Sequence, residues 1–302
     1  MDNIIKINTI SEFHQLIGFE KAKHPLITII DYAKMKADYP QGPFKVVDSF
    51  YSISLKDNCV GEMQYGRNKY DFQEGSLLCK GPEQAITIDV GEEPLDANGW
   101  GLYFHPDLIR RSTLGKTIKD YSFFSYESNE ALHLSDNEKE TLEEILDKIR
   151  LELKQNIDKH SQTLIISNIE LLLNYCNRYY DRQFITRENH NKDLISKFEE
   201  LLADYFTSDK VVNRGLPSVK YCAEQMGFSP NYLSDLLKKD TGKNTQEHIH
   251  YYLIEEAKNR LLNSNITVSE IAYNLGFEYP QHFSKIFKKK TGVTPASYRN
   301  VN

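Results

Sequence analysis

A chain of 302 residues with 40% hydrophobic and 26% charged residues has the composition of a globular protein and the length of two domains. No apolar run approaches the roughly 20 residues that cross a bilayer, and the opening MDNIIKINTI lacks a basic stretch followed by an apolar one. No membrane partner is therefore expected, and a cytoplasmic location is. The net charge of −6 is divided unevenly: residues 213–302 hold 12 Lys+Arg against 8 Asp+Glu (+4), and the preceding 212 hold 25 against 35 (−10). Positive charge is confined to one end, where a phosphate-binding surface would need it.

From Pro25 to Phe104, short β-rich runs alternate with turn residues. Strands are expected at Leu26–Ile30, Val46–Leu55, Gly61–Tyr65, Tyr70–Phe72, Leu77–Cys79, Ala85–Asp89 and Trp100–Phe104, a spacing that predicts a small all-β barrel or jelly roll. His105-Pro106-Asp107 closes it, with His105 placed as a helix N-cap. The four cysteines, Cys59, Cys79, Cys176 and Cys222, have no CxxC or Cys/His spacing, which argues against zinc and disulfides and for buried small hydrophobes.

A helical linker follows. Ser135 and Glu138 have capping-box spacing and open a helix with Leu142, Ile145, Leu146, Ile149 and Leu153 on one stripe. A second run carries Leu164, Ile165, Ile169, Leu172, Leu173 and Cys176. Two readings of these stripes stand open: pairing of two copies into a homodimer, or packing against the barrel. The polar stretch Thr186–Asp193 is expected to be a short linker, and a further helix, Leu194–Phe206, precedes the last segment.

The strongest signal is an internal repeat of about 49 residues. Ser218-Val219-Lys220-Tyr221-Cys222-Ala223-Glu224-Gln225-Met226-Gly227-Phe228 aligns with Thr267-Val268-Ser269-Glu270-Ile271-Ala272-Tyr273-Asn274-Leu275-Gly276-Phe277. Leu233-Ser234 then aligns with Phe283-Ser284, and Lys238-Lys239-Asp240-Thr241-Gly242 with Lys288-Lys289-Lys290-Thr291-Gly292, the second copy having one extra residue in its turn. Each copy reads as helix, turn, helix. Ser218 or Thr267 caps the first helix, an alanine permits close crossing, and Gly227 or Gly276 supplies a positive φ in the turn. In the first copy, Ser229 and Pro230 open the second helix. Leu233, Leu236 and Leu237 face inward, as do Phe283, Ile286 and Phe287 in the second copy. Between the copies, Thr245–Leu262 reads as one amphipathic helix with Ile249, Leu253, Ala257, Leu261 and Leu262 on its apolar side. Such a connector would hold two recognition helices about 34 Å apart, the spacing of successive major-groove segments.

These residues resemble the C-terminal domain of AraC/XylS-type bacterial transcription regulators. The most specific part is Ile271-Ala272, Leu275-Gly276-Phe277, His282-Phe283-Ser284-Lys285-Ile286-Phe287-Lys288 and Thr291-Gly292-Val293-Thr294-Pro295-Ala296-Ser297-Tyr298-Arg299. Two positions depart from the pattern: Leu253 stands where the connector usually carries arginine, and Asp235 where a DNA-contacting residue is common. The resemblance implies base readers at Asn231, Ser234 and Asp235 in the first recognition helix and at Gln281, Ser284 and Lys285 in the second, with His282 either touching a base or shielding a phosphate. Gln281 has the donor–acceptor pair for adenine, and Lys285 can donate to guanine. Asp235 would weaken the first head by repelling phosphates, or accept from a cytosine amino group. Lys238, Lys239, Lys288, Lys289 and Lys290 are assigned to phosphates or solvent. Upstream, Tyr70–Leu78 followed by Gly81-Pro82-Glu83-Gln84 is similar to the cupin-type sensor domain of the same regulators, although Tyr65–Gln84 contains no histidine to make the metal site of a cupin enzyme.

The expectation is an α+β multidomain chain. A cupin-like β-barrel sensor spans 1–134, a helical linker or dimerisation segment 135–193, and an all-α tandem helix-turn-helix domain 194–302. The expected partners are double-stranded DNA, RNA polymerase, a small-molecule effector and a second copy of the chain. No catalytic residues, metal or cofactor are expected. Two other classes compete: a cupin enzyme with a DNA-binding tail, and an architectural DNA binder with little sequence preference.

Overall fold

Alternation of apolar and polar residues sets the first half of the chain into strands, and helical periodicity governs most of the rest. The computed structural model describes residues 4–35, 44–60, 64–65, 68–69, 75–88, 96–155, 158–186 and 188–301. It divides into two units, Met1–Ile185 and Thr186–Asn302.

The first unit runs β1 (Ile4–Ile7), α1 (Ile10–Leu16), β2 (Ile27–Asp31), β3 (Phe44–Asp48), β4 (Tyr51–Val60), β5 (Gln64–Tyr65), β6 (Asn68–Lys69), β7 (Ser76–Lys80), β8 (Ala85–Ile88) and β9 (Asp96–Phe104). Then come α2 (Pro106–Ile109), α3 (Thr113–Thr117), β10 (Leu132–His133), α4 (Asp136–Lys154) and α5 (Ser161–Thr186). A five-stranded antiparallel sheet has the order β10-β7-β4-β9-β2, and a three-stranded sheet the order β1-β3-β8, with β5 and β6 pairing separately. Among the described residues these sheets do not close into the expected barrel, because a period of two predicts strands and carries no information about closure. Val46–Leu55 is not one strand. Asp48 Oδ1 accepts from the Phe50 N–H at 3.1 Å, the chain reverses, and β3 and β4 enter different sheets. The strand expected at Tyr70–Phe72 lies outside the described residues.

The two faces of the larger sheet differ. On one, Ile30, Gly101 and Ser54 lie abreast. Tyr32 Oη donates to Ser54 Oγ at 2.8 Å and lies 3.0 Å from Tyr103 Oη, and a side chain at 101 would collide with that phenol. On the other face, Asp31, Trp100, Leu55 and Leu77 form one row and Ile29, Leu102, Ile53 and Cys79 the next. Helix α5 meets this second face at Cys79, beside Cys176. Burial, with the Cys176 thiol beside it, pushes the Cys79 thiol well above its ordinary range.

Local hydrogen bonds fix the helices. His105 Nδ1 accepts from the Asp107 N–H at 3.2 Å, the expected N-cap. Glu138 accepts from the Ser135 N–H at 2.9 Å and from Arg182 of α5 at 2.8 Å. Gln183 accepts from the His133 N–H at 2.8 Å and donates to the Ala131 carbonyl at 3.2 Å, tying α5 to β10. Leu142, Ile145, Leu146 and Ile149 of α4 are buried, as are Ile165, Ile169, Leu172, Leu173 and Cys176 of α5. Leu164, expected on the same stripe, is exposed together with Leu171. Cys79 and Cys222 are buried as well, in keeping with the reading of the cysteines as small hydrophobes.

The second unit is helical: α6 (Glu188–Thr207), α7 (Lys210–Arg214), α8 (Val219–Met226), α9 (Pro230–Thr241), α10 (Thr245–Asn263), α11 (Val268–Asn274), α12 (Pro280–Thr291) and α13 (Pro295–Val301). The polar stretch expected as a linker is largely helix, since Thr186 closes α5 and Glu188 opens α6.

Two leucines two residues apart test this packing. Leu173→Ala should lower the stability of the first unit by about 2–5 kcal/mol and Leu171→Ala by about 0.5 kcal/mol, measured as shifts in urea unfolding followed by far-UV circular dichroism.

Candidate nucleic-acid interface

The two copies of the repeat fold alike down to single hydrogen bonds. Ser218 Oγ accepts from the Tyr221 N–H at 3.0 Å and Thr267 Oγ1 from the Glu270 N–H at 3.1 Å, so each copy caps its first helix as its sequence implies. Ala223 and Ala272 are wholly buried. In each turn the phenylalanine N–H returns to that alanine's carbonyl at 3.0 Å, Phe228 to Ala223 and Phe277 to Ala272. This bond requires the intervening Gly227 and Gly276 to adopt φ +76° and +79°, the left-handed region natural to glycine.

The glycines differ in their surroundings. A Cβ on Gly227 would meet nothing within 4 Å, whereas one on Gly276 would lie 2.4 Å from the Val211 carbonyl oxygen and 2.8 Å from Gly215 Cα. The α7 segment therefore seats directly on the turn of the second copy. Tyr205 Oη of α6 holds that seat by donating to the Gly215 carbonyl at 3.0 Å.

In the first recognition helix, α9, Ser229 Oγ accepts from the Tyr232 N–H at 3.2 Å, and Leu233, Leu236 and Leu237 are buried. Asn231, Lys238 and Lys239 are exposed and Asp235 is half-buried. Ser234, expected to face a base, is half-buried, with its hydroxyl 3.0 Å from that of Thr245. Thr245 is fully buried at the start of α10, so this bond joins the recognition helix to the connector.

In the second recognition helix, α12, Phe283 and Phe287 are buried, and Phe277, Phe283, Phe287 and Tyr298 follow one another with ring centroids 5.5–5.7 Å apart. Gln281, His282, Lys285 and Lys288 are exposed, while Ser284 and Ile286 are half-buried. The additional residue in this turn places Tyr279 at the N-cap with no side-chain cap bond. Its ring is exposed and lies 5.6 Å from that of His282. Tyr279 stands where Ser229 stands in the first copy, immediately before the proline that opens the helix, and the extra residue of the second turn was its signal in the sequence.

The connector α10 buries Ile249, Leu253, Ala257 and Leu261, while Leu262, expected on that side, is exposed. Leu253, at the position usually held by arginine, is fully buried. Two arginines complete the connector's C-terminal end. Arg299 donates to the Leu261 and Ile266 carbonyls at 3.1 and 2.8 Å, and Arg260 to the Asn274 carbonyl at 3.0 Å, satisfying carbonyls that a helix end leaves open. At the other end, Thr241 Oγ1 lies 2.7 Å from His248 Nε2. Burial lowers the His248 pKa, with Lys243 adding to the effect. The His250 pKa is lowered by burial and then by Lys290 and Lys289, so the lysine-rich last turn of α12 acts on the connector electrostatically.

Comparison with known proteins concerns this segment. A family described as "Helix-turn-helix domain" matches residues 222–300. The HTH-type transcriptional regulator YobQ of Bacillus subtilis is 39% identical over 84 residues, which cover 28% of this chain and 35% of YobQ. The transcriptional regulatory protein YesN of the same organism is 34% identical over 113 residues, 36% of this chain and 29% of YesN. The chain thus spans about a third of the length of these relatives. Among solved structures, the C-terminal domain of the two-component response regulator yesN from Fusobacterium nucleatum aligns at 27% identity with a TM-score of 0.32, covering 35% of this chain and 98% of that domain.

The two turn glycines should respond unequally to the same change. Gly227→Ala should cost about 1 kcal/mol for the left-handed backbone alone. Gly276→Ala adds a collision with backbone and should cost about 3 kcal/mol or more, read as the drop in thermal midpoint of the helical unit.

Proposed function

We propose that this chain, whose residues 222–300 form a helix-turn-helix domain of AraC type, is a sequence-specific transcription regulator that binds double-stranded DNA through both recognition helices. One observation carries the reading. Two helices at matching positions of the repeat, α9 and α12, each spend their apolar side on their own hairpin and leave polar side chains in solvent. An isolated hairpin of this kind could be structural, but a duplicated one on a common connector suits a duplex with repeating grooves.

The second head is the principal reader in this proposal. Gln281, His282 and Lys285 are solvent-exposed and chemically matched to base edges, and Lys288, Lys289 and Lys290 supply phosphate attraction. Tyr279 joins them as an edge contact beside His282. In the first head, Asn231 is the reader, because the Ser234 hydroxyl is already held by Thr245 and Asp235 repels the backbone. Ser284 serves as a near-groove contact.

The β-rich unit is proposed as a cupin-like sensor for a small-molecule effector, RNA polymerase as the partner at the promoter, and the solvent face of α5 bearing Leu164 and Leu171 as the homodimer surface. No catalytic role is proposed. No helix among the described residues is long and apolar enough to cross a membrane.

The test is retention of sheared genomic DNA from the source organism by the purified full-length chain, followed by sequencing of what is bound. A few promoter-proximal sites with two half-sites about one helical turn apart are expected. Uniform retention that collapses with rising salt would instead mark an architectural binder. On a recovered site, Gln281→Ala with Lys285→Ala should abolish discrimination against single-base changes. Lys288→Gln, Lys289→Gln and Lys290→Gln together should weaken all sequences alike and reduce the log–log salt slope by about 1–3, measured by fluorescence anisotropy.

A further inference from the structure

A cavity of about 760 Å³ opens in the first unit where the edge strand β2, the end of β9, the segment after α1 and helix α4 meet. Its floor is apolar: Ile27, Ile29, Leu55 and Trp100 line it. Their register places these side chains on the sheet face opposite the one carrying Ser54 and Tyr103. The cavity opens mainly on that face and reaches round the edge strand to His14 and Thr28.

Two of its features have no account in the packing. Trp100 is 4% exposed, yet its indole Nε1–H finds no acceptor among the described residues. A buried donor left unpaired carries its full desolvation cost, and such an orphan beside a cavity is explained by an acceptor that comes from outside the chain. The second feature is the charge of the rim. Lys34 pairs with Asp31 at 2.7 Å, Arg150 with Asp147 and Glu143 at 2.8 and 3.0 Å, and Lys139 with Asp136 at 3.6 Å. Lys21, Lys23 and Lys154 line the same cavity and form no ion pair among the described residues. Glu20 and Glu140 line it without an ion pair as well, so the lining holds six Lys/Arg against four Asp/Glu and keeps a net positive charge over an apolar floor, in the half of the chain where acids outnumber bases.

We propose that this groove binds an amphipathic organic anion. The apolar body lies on the Ile27, Ile29, Leu55 and Trp100 floor, an acceptor atom in that body takes the Trp100 N–H, and the anionic group meets Lys21, Lys23 and Lys154. The volume suits a ligand of that kind, since small-molecule sites are largely apolar with a few placed polar groups. A polyphosphate suits it less well: the one arginine at the rim is already committed to Glu143 and Asp147, and flexible lysines provide point charges rather than a fork. The proposal deepens the effector reading above and rests on it only for what occupancy does to DNA binding.

Trp100 is the sole tryptophan of the chain, so its emission reports on this floor directly. The probes are 8-anilinonaphthalene-1-sulfonate, an amphipathic anion, and N-phenyl-1-naphthylamine, its uncharged counterpart, titrated into the full chain without DNA. The expected result is saturable one-to-one quenching of Trp100 by the anion, with the neutral probe at least tenfold weaker. In the variant Lys21→Gln, Lys23→Gln, Lys154→Gln, affinity for the anion should fall tenfold or more, with affinity for the neutral probe and the thermal midpoint unchanged. Equal affinity for the two probes, an unaffected triple variant, or anion binding without Trp100 quenching would overturn the proposal. Failure here removes the groove and leaves the DNA-reading assignment intact. Binding that leaves DNA retention unchanged removes the effector role and leaves the groove.

Discussion

The buried stripe of α10 is the constraint on which the reading module depends. Ile249, Leu253, Ala257 and Leu261 recur every four residues and are all but inaccessible, and α10 packs against α8 and α9 on one side of the repeat and α11 and α13 on the other. Because both hairpins draw their cores from one straight helix, neither can rotate without emptying the other's core, and close-packed interiors do not deform continuously. The Ser234–Thr245 hydroxyl pair and the Arg260 and Arg299 bonds to carbonyls near its far end fix the same relation with directional bonds. This arrangement also explains why Leu253 is tolerated where a charged residue is usual. Wholly buried, it adds packing and needs no ionic partner.

The duplication is unequal, and the inequality is where function can enter. The first turn is closed by Ser229, a buried cap. The second carries one more residue and presents an exposed tyrosine instead of a cap hydroxyl. Gly276 is pinned beneath Val211 and Gly215 while Gly227 faces open space. The second head therefore has the more constrained turn and the more accessible recognition side chains, whereas the first has spent Ser234 on holding the connector. A module whose heads shared both tasks equally would have less reason to diverge at these positions.

How much of this was legible in the sequence depended on the range of the interaction. Caps, turn glycines and the Ser135–Glu138 spacing are decided within a few residues, so they could be read from Ser218, Gly227 and Thr267 without knowing the fold. The tie of Ser234 to a threonine 11 residues away was not legible, because it depends on the angle between α9 and α10. Leu164 sits one residue from Ile165 in a run where either could face inward, and only the position of the sheet beneath α5 decides between them. The same limit applied to the β-rich unit: alternation located β2, β7, β8 and β9, but assignment of strands to sheets depends on reversals such as that at Asp48 and Phe50.

The groove beside α4 is the extreme of this trend, since its lining comes from residues 14–34, 55, 99–100 and 139–154, segments with no sequence pattern in common. Each of its lysines, taken alone, reads as an ordinary solvated charge. What distinguishes Lys21, Lys23 and Lys154 is place: with Lys34, Lys139 and Arg150 they outnumber the four carboxylates that line the same hollow, whose floor holds an indole N–H with no acceptor among the described residues. An excess of cations at the mouth of an apolar hollow that also holds an unsatisfied donor is the physical reason to read the hollow as complementary to something the chain itself does not provide.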